Sequence, residues 1–140
     1  MSRALSWLIF APAAGLWWVS LFKPALRQRE AGPFRYTGLN CLALGWIGFL
    51  GRPLWALPWS ANVLYAISLV RGLLRRPGHE ALVLSLIAIP LSLVTFANRT
   101  IYTDEAGHSA DVVPGVGFYL WLGSMVALAA AQLVTMEGRQ

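Results

Sequence analysis

Few residues in this chain carry the side chains that chemistry needs. Two histidines, His79 and His108, and one cysteine, Cys41, are its soft ligand groups, and the stretch "TDEAGHSAD" at 103–111 gathers three acids and a histidine. Histidine is the usual axial ligand of haem, but these two belong to separate polar turns, and His79 abuts Glu80. A lone thiol forms neither an internal disulfide nor a metal set, so Cys41 reads as a small apolar helix residue. The acidic stretch could hold a divalent cation through carboxylate oxygens, yet it lacks the ligand spacing of a calcium loop and reads as a solvated turn. With no nucleophile beside a base and no paired acids facing a cavity, no catalytic, cofactor-binding or metal-binding residue is assigned, and the chain is read as non-enzymatic.

The elements that would position such groups are apolar. Of 140 residues, 57% are hydrophobic and 12% charged, with seven tryptophans, whereas about a quarter of a soluble domain is charged. Lipid is the covering that such a composition calls for. The net charge of +5 would suit nucleic-acid binding if Lys and Arg were clustered. Here they sit in short loops between apolar stretches, where membrane topology puts them, and nucleic acid is excluded as a partner.

Five apolar stretches predict an all-α transmembrane helical bundle forming one integral membrane domain over 1–140. The spans lie near 5–22, 36–50, 58–74, 81–97 and 114–134. At 1.5 Å per residue the first would be about 27 Å long, the second about 22 Å and the last about 31 Å, against a hydrocarbon core near 30 Å. The first follows Arg3 but lacks a small-residue cleavage pattern, so it reads as a retained span. Pro58 is expected in the first turn of the third span, and Pro90 is expected to kink the fourth. The second is short, needing Phe34 and Trp55 at the interfaces. If it dips back or lies in the interface, four crossings remain.

Orientation follows from the loop cations. Lys23, Arg27, Arg29 and Arg35 fall in the first loop and Arg71, Arg75 and Arg76 in or beside the third, against Arg52 and Arg99 in the second and fourth. Five crossings then place the N-terminus outside and the C-terminus, with Glu137 and Arg139, in the cytoplasm.

Polar residues at depth are few: Asn40, Asn62, Ser68 and Ser92 are the candidate polar interior, with Ser85, Thr95 and Ser124 beside them. Asn62 stands out, because an amide in hydrocarbon needs a partner across a helix interface or on a freed carbonyl. Trp55, Trp59, Tyr119 and Trp121 are the candidate interface anchors. Small residues at 11 and 15, at 45, 48 and 51, and at 123, 127 and 131 allow close helix approach.

The segments "LALGWIGFLG", "WSANVLYAISLV" and "GVGFYLWLGSMVALA" together resemble a family of small uncharacterised bacterial multi-span membrane proteins. In that pattern a Gly-Trp pair, a Trp-x-Ala-Asn turn and a Gly-x-Gly-aromatic-x-Leu-Trp-Leu helix start follow one another. They fall here at Gly45-Trp46, at 59–62 and at 115–122, and Val63 stands where the pattern has proline. The resemblance covers roughly the last hundred residues and implies a multi-pass bundle of the bacterial inner membrane. It brings no activity with it. The functional expectation is a non-catalytic accessory, assembly or interaction subunit, whose partners are the bilayer and another membrane protein or a second copy. The alternatives are a small oligomeric channel or carrier for a neutral solute, with Asn62, Ser68, Ser92 and the Pro90 kink along its path, and an immunity-type membrane protein.

Overall fold

The computed structural model describes residues 3–29, 35–51, 53–74, 79–102 and 108–137. Helix α1 (Arg3–Leu21) stops just before Lys23-Pro24, a dipeptide that disfavours helix. Helix α4 (Pro53–Leu73) starts with Pro53 in its first turn. Pro58, expected to hold that place, instead lies buried inside the helix. Proline has no N–H to give the carbonyl four residues back, and that carbonyl, Leu54 O, accepts Nδ2 of Asn98 at 3.0 Å. Helix α5 (His79–Leu93) gives way to a 3₁₀ turn (Val94–Ala97) three residues after Pro90, and α6 (Val116–Glu137) closes the chain. Two of these stretches, His79–Ala97 and Val116–Glu137, are long and apolar enough to cross a membrane.

The chain is mostly helical but not all-α. Between α1 and α4 lie β1 (Pro24–Gln28), β2 (Arg35–Thr37), α2 (Gly38–Leu44), a 3₁₀ turn (Gly45–Ile47) and α3 (Gly48–Gly51). Between α5 and α6 lie β3 (Thr100–Tyr102) and β4 (Ser109–Pro114). The four strands form one sheet in the order β2-β1-β4-β3, antiparallel throughout, with Leu26 opposite both Tyr36 and Pro114. Antiparallel pairing satisfies backbone groups that a loop would leave to water.

That sheet departs from the expected all-α fold. Its two central strands come from the first and the last connections, which alternate loop charge had set on opposite faces. The end of α1 and the start of α6 meet there, since a Cβ at Gly117 would stand 2.6 Å from the carbonyl oxygen of Lys23. The α4–α5 hairpin joins at the same end, through Asn98 to Leu54 and through Phe96 edge-on to Phe118 at 5.1 Å. At the far end the Phe10 ring lies against Gly72, and Arg71 pairs with Glu80 across the hairpin. The start of α1 and the end of α6 therefore share the far end of the bundle. The 36–50 stretch begins and ends at the sheet end, and it does not run the length of the bundle.

The core holds Phe10, Ala13, Ala61, Tyr65, Ala88, Met125, Leu128 and Ala131. The inward face of α5 is Ala81, Ser85, Ala88 and Ser92, and α4 turns Ala61, Tyr65, Ser68 and Gly72 inward. Outward stand Val63, Ile67, Val70, Val83, Leu86, Ile87, Val126, Leu133 and Val134.

Candidate functional site

Asn62 is the polar hub of the sheet end. Its Oδ1 accepts Nε1–H from Trp121 at 2.8 Å and from Trp17 at 3.2 Å, while its Nδ2 donates to the carbonyl of Trp59 at 3.2 Å. One amide thus joins α1, α4 and α6, and Trp17 also stacks on Tyr65 with ring centroids 6.1 Å apart.

A second set of indoles holds α2. The last carbonyls of a helix lack intrahelical donors, and where α2 yields to its 3₁₀ turn two of them are taken by tryptophans. Trp59 Nε1 donates to Leu42 O at 2.8 Å, and Trp46 Nε1 to Ala43 O at 2.9 Å. Gly45 permits this, because a Cβ there would meet the Trp59 ring at 2.8 Å. At the other end of α2, Thr37 caps the helix by accepting from the backbone N–H of Asn40 at 3.3 Å.

Between α2, α3, α4, the start of α6 and the underside of the sheet lies a cavity of about 660 Å³. Leu26 and Tyr36 from the sheet, Cys41 and Gly45 from the 38–51 stretch, Trp59 and Asn62 from α4, and Phe118 and Trp121 from α6 are among its walls. The three segments that carry the family resemblance thus converge on one space. Among the described residues its lining contains no Asp, Glu, Lys, Arg or His, and no three described His, Cys, Asp or Glu side chains are placed to hold a metal.

The other expected residues fall as follows. Asn40 is exposed at the cavity edge. Ser68 is fully buried and donates to Ala81 O at 2.8 Å, and Ser92 is fully buried and bonded back to Ile89 O at 2.6 Å. Pro90 is exposed. Asn62, Ser68, Ser92 and Pro90 therefore line no common path within one chain. Trp59 and Trp121, expected as interface anchors, spend their N–H groups inside the protein. Tyr119 is 55% exposed. The side chain of Trp55 lies outside the described residues, as do Phe34, Arg52, Arg75, Arg76, residues 103–107 and Arg139. His79 and His108 stand at opposite ends of the bundle.

Sequence reasoning overlooked Gln132. It is fully buried and donates Nε2–H to Ser68 O at 2.8 Å and to Ser68 Oγ at 3.1 Å. Its signal was present, for it follows Phe118, Trp121, Met125 and Leu128 at helical spacing on one face of α6. Comparisons of the chain with family models, with curated proteins and with solved structures gave no match.

Proposed function

We propose that this chain is an integral membrane protein of non-catalytic, interaction-based function, in which α1, α4, α5 and α6 cross the bilayer. The 38–51 stretch then lies within the leaflet beside the sheet. The observation that carries this reading is the polarity of the packing. Along α5 the buried positions are Ala and Ser while Val83, Leu86 and Ile87 face outward, and only 22% of its apolar window is buried. A core helix in water places its large aliphatic residues inward. In lipid, helices associate through small residues and hydroxyls, with the bulky apolar side chains turned to the acyl chains.

A non-catalytic role is supported by the uncharged cavity, where the polar groups of Asn62, Trp59 and Trp121 are engaged with one another and with backbone. In this four-crossing arrangement the basic residues nearly balance. By position in the sequence alone, Lys23, Arg27, Arg29, Arg35, Arg52 and Arg99 fall in the connections next to the sheet strands or between α3 and α4, against Arg3, Arg71, Arg75, Arg76 and Arg139 in the others. Six against five gives the positive-inside rule little to select.

The test is a cysteine scan in a Cys41→Ser background, using an impermeant thiol reagent on intact cells. Arg27→Cys and Ser109→Cys are expected to react alike, and His79→Cys and Glu137→Cys to behave oppositely to them and like each other. Opposite behaviour at 27 and 109 would restore five crossings, and reactivity at all four positions would sink the membrane reading.

A further inference from the structure

Four cavity-lining residues are exposed: Asn40, Leu44, Ile47 and Leu50. All four come from the 38–51 stretch, three or four positions apart, so they run along one side of it. They mark the mouth, and the opposite walls, including Leu21, Pro58 and Phe118, are buried. Three of the mouth residues are aliphatic. Asn40, the fourth, sits at the sheet end, one turn beyond the Thr37 cap.

Inside, the lining is mostly apolar, and several of its polar groups are already bonded: Ser20 Oγ donates to Trp17 O and Asn98 Nδ2 to Leu54 O, while Thr95 and Cys41 add a hydroxyl and a thiol to the wall. The indole of Trp59 is committed to Leu42 O and that of Trp121 to Asn62, whose own amide is committed to Trp59 O. What they present to the space is ring surface. A charged or strongly hydrogen-bonding ligand would be stripped of water there without compensation, whereas a hydrocarbon chain loses nothing. The volume, about 660 Å³, falls within the range of small-molecule sites, about 300–1,000 Å³.

We propose that this cavity binds the hydrocarbon chain of a neutral amphiphile taken from the bilayer, entering past Leu44, Ile47 and Leu50, with its polar head at Asn40. The inference rests on the membrane reading, since the aliphatic mouth opens onto hydrocarbon only if the 38–51 stretch lies in the leaflet.

The full chain is reconstituted in phosphatidylcholine vesicles containing a monoacylglycerol with a mid-chain diazirine, then irradiated, and the adducts are mapped by peptide mass spectrometry. Wall adducts at Trp59 and Phe118 are expected to saturate as the probe fraction rises, while adducts on the outward Val83 and Val126 increase in proportion to it. Ile47→Trp, a change at an exposed mouth position, is expected to abolish the wall adducts and leave the outer ones. A second arm carries the diazirine on a phosphatidylcholine chain. Labelling of the walls in both arms assigns the site to bilayer lipids generally, and labelling by the monoacylglycerol alone assigns it to single-chain amphiphiles.

Wall adducts that are missing, or that rise in proportion and survive Ile47→Trp, overturn the chain site while outer labelling keeps the membrane reading intact. Missing labels at Val83 and Val126 overturn both. If Ile47→Trp loses its monodisperse elution, saturation in the wild-type chain decides alone.

Discussion

The two ends of this bundle are closed by different chemistry. At the far end serines and small residues let helices come together: Ser68 bonds to Ala81 O, Gln132 bonds to Ser68, and the Phe10 ring fills the space over Gly72. A serine that bonds back three residues, as Ser85 does, consumes its polarity within its own helix and adds no width. At the sheet end the bridges are indoles reaching to Leu42 O and Asn62 Oδ1. An indole is a broad, rigid strut with one donor at its edge. It fixes two elements at a distance and leaves space beside it. The same apolar composition thus gives a filled core at one end and a cavity at the other, according to which donors cross between elements.

The comparison can be broken most severely at the junction of α1 with α6. Gly117→Val would drive a side chain into the backbone carbonyl of Lys23, 2.6 Å from the added Cβ, and backbone has no rotamer by which to move away. A loss of about 3 kcal/mol or more is expected from such overpacking, read as loss of the cooperative thermal transition in detergent. A transition within a few degrees of wild type would show that the junction is not rigid.

Asn62→Leu tests the struts themselves. It leaves two indole N–H groups without their acceptor, and at about 0.6 kcal/mol for each interhelical hydrogen bond in a membrane protein the expected cost is about 1 kcal/mol. The unfolding midpoint should fall without loss of cooperativity, and the emission of Trp17 and Trp121 should change with it. An unchanged midpoint would mean that the struts do not bear on stability.

The smallest effect should have the opposite sign. Gly123 lies on the same helix as Gly117, yet a Cβ there would meet nothing within 4 Å. Gly123→Ala should therefore gain up to about 1 kcal/mol of helix propensity, and a loss in the same assay would place an unrecognised partner against that face.

Much of the bundle was legible in the chain, because α1, α5 and α6 are long apolar runs and such runs carry their own signal. The inward faces were legible only in part: Ser85 and Ser92 stood out as polar residues at depth and are buried, whereas Ala11 and Gly15, named for close approach, are exposed, and a Cβ at Gly15 or Gly123 would meet nothing within 4 Å. The sheet was not. Its strands are three to six residues long, and β1 pairs with a segment on the other side of the bundle's sequence, a relation that no local pattern encodes. Loop charge carries no signal of such pairing either, since alternation assigns sides only when every apolar stretch crosses. Trp59 and Trp121 were read as anchors because tryptophan at a span end suits the membrane interface. Not legible were the acceptors of their N–H groups, Leu42 O and Asn62 Oδ1, which come within reach only once α2 ends beside α4 and α6 packs against it.

The pairing of Leu26 with Pro114 also sets an order of events during synthesis. β1 emerges early, behind the first helix, and must wait for α2, α3, α4, α5 and β3 before β4 exists to meet it. Closing so long a loop costs entropy that only late contacts can offset. The sheet is therefore a latch that cannot shut before β4 has been made. Until it does, β1 has only the short β2 beside it and its other edge is open, which is the interval when a chaperone or a wrong strand could take that place.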